Sequence, residues 1–321
     1  MQQTTTAPDG RTIGKFEHPA VTAKGERRAA VALRRLETLW FNTGTLCNIT
    51  CRNCYIESSP KNDALAYLTL ADVEAYLDEI SRDRLSVSLI GFTGGEPFMN
   101  REIIPILDAA LTAGYEVLVL TNAMRPMMRH RASLRRLRER HGDRLRIRVS
   151  LDDHRPAVHD AERGPDAFAR AMEGLRFLAG GGFRVELAGR RLAADTEAGS
   201  REGYRRVLAA EGIALDCDDP VKLVVFPEMR ADADPPEITE ACWSILHKSP
   251  DEVMCASSRM VVRRKGAAGP SVLACTLIAY DPQFELGRTL AEAARPVALN
   301  HRFCATFCVL GGAACGASAP T

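Results

Sequence analysis

A parallel α/β fold is the architecture this sequence predicts for residues 36–227, and three observations carry it. Six apolar, β-prone segments alternate with stretches of helical periodicity. The carboxyl ends of those segments gather Gly, Asn and Asp. The alternation stops abruptly at Pro227. Strands alternating with helices imply parallel pairing through helical crossovers. Six units are too few for a closed eight-stranded barrel, which leaves an open partial barrel or a doubly wound sheet. In both, ligands sit at the carboxyl ends of the strands.

Taken in order, residues 1 to about 30 are polar and read as loose or as a wrapping arm. "LETLWFN" (Leu36–Asn42) is a strand that runs directly into a cysteine loop. "TLADVEAYLDEI" is a helix with Thr69 as N-cap, Asp72 three residues on, and Leu70, Val73, Leu77 and Ile80 at helical spacing. "LSVSLIGF", from Leu85, is a buried strand ending in Thr93-Gly94-Gly95-Glu96-Pro97. "REIIPILDAALTAG" is a helix stopped by Gly114. "YEVLVLTN" is a strand ending at Asn122, and Met127 to His141 an arginine-rich helix with a solvated face. "RLRIRVSLDD" is a strand ending at Asp152 or Asp153, and "DAFARAMEGLRFLAG" a helix capped by Asp166. "FRVELAG" is a strand, Ser200 to Glu211 a helix, and "VKLVVFP" the sixth strand. After it "PEMRADADPPE" reads as a linker, about Ile238 to His247 as a helix, and "MVVRRKG" with "SVLACTLIAY" as a hairpin. The expected boundaries are an arm over 1–35, the α/β domain over 36–227 and a smaller module over 228–321.

Charge is balanced, 42 basic against 41 acidic residues, so nothing global points to nucleic acid or to an anionic membrane. No apolar run approaches the roughly 18 to 20 residues of a membrane helix. The N-terminus lacks a signal-peptide pattern, and a cytoplasmic protein is the resulting expectation. In that setting clustered thiols read as metal ligands or catalytic groups rather than disulfides. Of ten cysteines, Cys47, Cys51 and Cys54 form one group, and the other seven fall from Cys217 onward. Two separate sites are expected.

Cys47, Cys51 and Cys54 are spaced C-x3-C-x2-C and followed by Tyr55. A four-iron cubane needs four protein ligands to be covered, and a structural zinc site wants four as well. Three thiols leave one iron open; a zinc knuckle completed by a distant ligand is the competing reading. The motif resembles that of the radical S-adenosylmethionine (SAM) superfamily. Gly94-Gly95-Glu96-Pro97 is similar to that superfamily's segment for the SAM amino group, and Ser150 and Asp152 to its ribose-contacting strand end. Asn122 stands at the end of the strand between them. Arg163, in "HDAERGPDAFARAMEGL", resembles a methionine-carboxylate ligand.

The resemblance implies a partial (βα)6 TIM-type barrel with a small C-terminal auxiliary-cluster module. It implies a [4Fe-4S] cluster whose open iron is chelated by SAM, reductive cleavage to a 5′-deoxyadenosyl radical, and hydrogen-atom abstraction. A reducing partner such as flavodoxin or ferredoxin is part of the same expectation. Glu96 would accept hydrogen bonds from an ammonium, and the paired glycines would permit close backbone approach.

Cys255 and Cys275 flank the expected hairpin, and Cys304, Cys308 and Cys315 follow. This group resembles the SPASM and twitch auxiliary-cluster modules, although its C-x3-C and C-x6-C spacings are each one longer than the usual SPASM quartet and the final cysteine is absent. One auxiliary [4Fe-4S] cluster is the expectation, held by Cys255, Cys275 and two of Cys304, Cys308 and Cys315; a zinc site or buried thiols compete with it. Cys217 and Cys242 read as core. The auxiliary cluster would accept an electron, giving net oxidation, or anchor the substrate. Because 35 residues precede Leu36, too few for the recognition domain of peptide-modifying members, a small-molecule substrate leads over a ribosomally made peptide. A non-catalytic electron carrier is a further alternative, against which the Gly94–Pro97 segment speaks.

Overall fold

The computed structural model describes residues 13–192, 194–228 and 233–312. Its strands are β1 (Ala30–Val31), β2 (Thr38–Asn42), β3 (Leu89–Thr93), β4 (Glu116–Thr121), β5 (Leu145–Ser150), β6 (Arg184–Arg191), β7 (Leu223–Pro227), β8 (Ser258–Val262), β9 (Ser271–Leu273), β10 (Glu285–Gly287) and β11 (Val297–Ala298). Strands β2 to β7 lie side by side in chain order, every pair parallel. A doubly wound sheet would reverse its order at a switch point. This one never reverses, so the architecture is the open partial barrel.

Strand β8 pairs in parallel with β2 and carries the antiparallel β9 and β10, so the sheet continues from the barrel into the C-terminal residues. Only Ser271–Leu273 of "SVLACTLIAY" is strand; the chain leaves the sheet before Cys275. Among the described residues the N-terminal arm wraps rather than hangs loose. Its β1 pairs with β11, and Arg28 is buried against Glu237.

The helices are α1 (Leu70–Arg82), α2 (Ile103–Thr112), α3 (Arg125–Met128), α4 (Arg131–His141), α5 (Pro156–Arg163), α6 (Ala167–Gly180), α7 (Glu197–Ala210) and α8 (Cys242–Leu246). Helix α1 begins as its sequence dictates. Thr69 Oγ1 accepts from the Asp72 amide and Asp72 returns the bond to the Thr69 amide. The arginine-rich segment is split into α3 and α4; Leu134 and Leu137 face the core while most arginines stay in solvent. Asp166 does not cap α6 with its side chain, because its backbone is left-handed at φ +58°. Asp160 of α5, a helix the sequence reading omitted, supplies that bond by accepting from the Phe168 amide at 2.7 Å. Among the described residues no helix is long and apolar enough to cross a membrane.

Candidate active site

The loop after β2 is fixed by backbone bonds to the end of β3. The Gly95 amide donates to the Gly44 carbonyl at 2.7 Å and the Glu96 amide to the Leu46 carbonyl at 3.1 Å. A Cβ on Gly94 would stand 2.6 Å from the Gly44 oxygen, and Gly94 has φ +143°. The glycine pair therefore serves first to seat the cysteine loop. Both glycines also line the cavity into which the cysteine loop faces.

Cys47, Cys51, Cys54, Tyr55, Gly94, Gly95, Asn122, Ser150, Asp152 and Arg163 all line one cavity at the carboxyl ends of the strands. Asn122 holds its neighbours: its Nδ2 donates to Asn48 Oδ1 at 2.9 Å and lies 3.9 Å from Cys47 Sγ. Burial pushes the Cys47 thiol up to about 12, so iron binding there displaces a proton. Among the described residues no three His, Cys, Asp or Glu side chains are grouped closely enough for a single metal ion. A cubane takes one thiolate per iron and does not need that closeness.

Glu96 and Pro97 stand behind the cavity wall. Pro97 opens a short 3-10 turn capped by Glu96. The Glu96 carboxylate accepts from Thr121 Oγ1 at 2.8 Å, the Asn122 amide at 2.9 Å and the Phe98 amide at 3.2 Å. Burial outweighs these bonds and raises its pKa to about 7. Three of its acceptor sites are thus committed to the protein, leaving limited capacity for an ammonium.

Asp152 and Arg163 meet each other. Arg163 donates twice to the Asp152 carboxylate, at 2.8 and 2.9 Å. Burial opposes ionisation of Asp152, but Arg163 and Arg190 outweigh it and hold the carboxyl at about 2. The His159 ring turns Nδ1 toward the Asp152 amide, and burial with Arg163 nearby lowers it to about 4, so it is neutral at pH 7. Arg190 was missed by sequence reasoning. It bridges Asp152 and Glu162 and lines the same cavity; its place after Gly189 at the end of β6 was the available signal. Glu162 in turn accepts from Asn53 and its carbonyl from the Arg52 amide, docking α5 on the cysteine loop.

Beside this cavity lies a second, lined by Cys255, Cys275, Cys304 and Cys308 among apolar side chains. Cys304 and Cys308 share a π-helical turn (Cys304–Val309) closed by the Leu310 amide on the Ala305 carbonyl at 2.8 Å. Such turns are rare and concentrate at functional sites. Burial raises the Cys255 thiol to about 12 and Cys304 well above its ordinary value. Cys315 lies outside the described residues. Cys217 is buried in the core, as expected, and Cys242 packs against it half-exposed, accepting from Thr239. Leu277 lines both cavities, and Tyr55 meets Phe303 edge to face at 6.3 Å between ring centroids.

Residues 41–191 match the Radical SAM superfamily. AlbA of Bacillus subtilis, described as an antilisterial bacteriocin subtilosin biosynthesis protein, is 32% identical over 143 residues, covering 44% of this chain and 30% of its own. The mycofactocin maturase MftC of Mycobacterium ulcerans is 31% identical over 137 residues, covering 43% and 35%. The matched region thus spans about a third of the length of these relatives. SuiB of Streptococcus suis has the same fold, with a TM-score of 0.57 at 12% identity over 79% of this chain and 63% of its own. The likeness to the radical SAM superfamily thus runs over residues 41–191, from the end of β2 through β6.

Proposed function

We propose that this protein binds SAM on a three-thiolate [4Fe-4S] cluster at Cys47, Cys51 and Cys54, and modifies a substrate held between that site and the C-terminal thiols. The convergence of those three thiols with Asp152, Arg163 and Arg190 on one strand-end cavity carries this reading. Once loaded, the cluster and SAM would supply a 5′-deoxyadenosyl radical for hydrogen-atom abstraction. The chain's own part is to hold, orient and exclude water. Asn122 braces the loop beside Cys47. Arg163, held bidentate by Asp152, and Arg190 bring positive charge to the cavity wall, where they would attract a methionine carboxylate. Trp40, Leu120 and Phe226 give the cavity apolar walls, which keep a reactive intermediate from water.

We assign one auxiliary [4Fe-4S] cluster to the four thiols that line the second cavity. Its four described thiols would cover every iron without Cys315. A closed cluster cannot anchor a substrate by an open iron, so electron acceptance, and hence net oxidation of the substrate, is the role we assign it. An external one-electron donor such as flavodoxin or ferredoxin would serve the first cluster.

For the substrate, the kinship with AlbA and MftC favours a ribosomally made peptide; the small-molecule expectation rested on the length of chain before Leu36. The test is anaerobic reconstitution with SAM and dithionite, adding a synthetic peptide encoded by a short reading frame next to the gene. Loss of two hydrogens from the peptide, with 5′-deoxyadenosine formed in step, supports the reading. An unmodified peptide alongside stimulation by a small metabolite would return the small molecule to first place.

A further inference from the structure

Arg259, on β8, is among the largest fully buried side chains, at 1% exposure. Its donors go to backbone carbonyls: Nη1 to Cys255 at 2.6 Å and Ser258 at 2.7 Å, Nε to Ala293 at 2.9 Å, and Nη2 to Arg295 at 3.3 Å. Among the described residues no carboxylate pairs with it. The other buried arginines differ: Arg28 has Glu237, Arg146 and Arg148 have Glu186, and Arg190 has Asp152 and Glu162. A guanidinium keeps its proton at neutral pH even when enclosed, so Arg259 is a buried cation. A buried charge without a counter-charge costs several kcal/mol. Arg259 is bonded to the Cys255 carbonyl, and the acidic groups whose charge reaches it are the thiols of Cys255 and Cys275.

We propose that Arg259 is the counter-charge built for an anionic iron–sulfur centre on Cys255, Cys275, Cys304 and Cys308, and that it raises that centre's reduction potential. The inference rests on the auxiliary-cluster reading above. A cubane on four thiolates is anionic and gains one more negative charge when it takes up one electron. A fixed cation bonded to the carbonyl of a ligating residue favours the reduced form more than the oxidised one. That favours uptake of an electron from a substrate radical. Arg259 thus acts on the cluster through charge; it is a positioning residue and touches no substrate.

The experiment is a dithionite titration followed by electron paramagnetic resonance on the full chain, with Cys47, Cys51 and Cys54 all changed to Ala so that one cluster remains. If this chain, with Arg259 intact, holds no iron, the auxiliary-cluster reading fails and this inference falls with it. If it holds iron, Arg259→Gln should shift the reduction equilibrium at least tenfold toward the oxidised form, about 59 mV for one electron. Arg259→Lys, which keeps the charge and loses the fork of hydrogen bonds, should stay within about threefold of the parent. An unchanged midpoint in the Gln variant overturns the inference. Should the Gln variant retain no iron, the Lys variant still decides: a midpoint within threefold supports a charge effect, and a tenfold drop overturns it.

Discussion

Gly95 lies so close to Leu46 that a Cβ on the glycine would stand 2.1 Å from the Leu46 carbonyl oxygen. The obstacle is backbone, which cannot rotate aside, and it belongs to the residue preceding Cys47. Gly95→Ala should therefore push the cysteine loop off the end of β3 and cost about 1–3 kcal/mol. Iron retained after reconstitution should fall by about half if two clusters are present, with the loss confined to the first. Full iron content with unchanged unfolding in urea would contradict this account of the glycine pair.

Glu96 sets a pH dependence whose sign is definite. Burial raises its folded pKa to about 7 from an ordinary 4.5. The folded state then keeps a proton that the unfolded state releases, so stability falls as pH rises between those values. The contribution is on the order of 3 kcal/mol. Urea unfolding of the cluster-free protein at about pH 5 and pH 8 should show the fall, and Glu96→Gln should flatten it. An equally steep profile in the variant would assign the effect elsewhere.

The N-terminal arm is stapled to the C-terminal residues by a buried ion pair. Arg28 and Glu237 are almost fully enclosed, and Glu237 also accepts from the amides of Phe16 and Ala23 at 2.8 Å. Glu237→Ala strands the guanidinium without its partner, and should cost about 3–5 kcal/mol in urea unfolding. A loss below about 1 kcal/mol would mean that the guanidinium's carbonyl partners suffice.

Thiol replacements should sort into three groups by iron content. Ala at Cys47, Cys51 or Cys54 should remove one cluster, and Ala at Cys255, Cys275, Cys304 or Cys308 the other. Ala at Cys217 or Cys242 should leave the iron count unchanged, since neither lines a thiol cavity. Retention of both clusters in Cys308→Ala would point instead to Cys315.

Much of this site was legible because it is local. The three thiols, Tyr55 and the Thr69–Asp72 cap are fixed by neighbours in sequence, and the strand ends that bring Asn122, Ser150 and Asp152 together follow from apolar periodicity. What stayed hidden depends on distant partners. Nothing near Ser258 announces a parallel pairing with β2, because register between distant strands is set by tertiary packing. The bidentate partnership of Arg163 with Asp152 depends on α5, whose turn follows the strand too closely to show a periodicity of its own. The partners that Glu96 finds in the protein, the Thr121 hydroxyl and the amides of Phe98 and Asn122, are set by the approach of β3 and β4. The alignment of Cys304 and Cys308 depends on a π-helical turn, for which a C-x3-C spacing gives no signal.

The central claim is an iron–sulfur cluster with one iron left open for SAM. It is tested most directly in a chain carrying Cys255→Ala and Cys275→Ala, so that the first cluster alone contributes. SAM labelled with nitrogen-15 and oxygen-17 at its methionine end is added to the reduced protein, and hyperfine couplings are read by electron–nuclear double resonance. The account predicts couplings from both the amino nitrogen and a carboxylate oxygen. A cluster signal indifferent to SAM, or a chain that takes up one zinc ion there in place of iron, would contradict it.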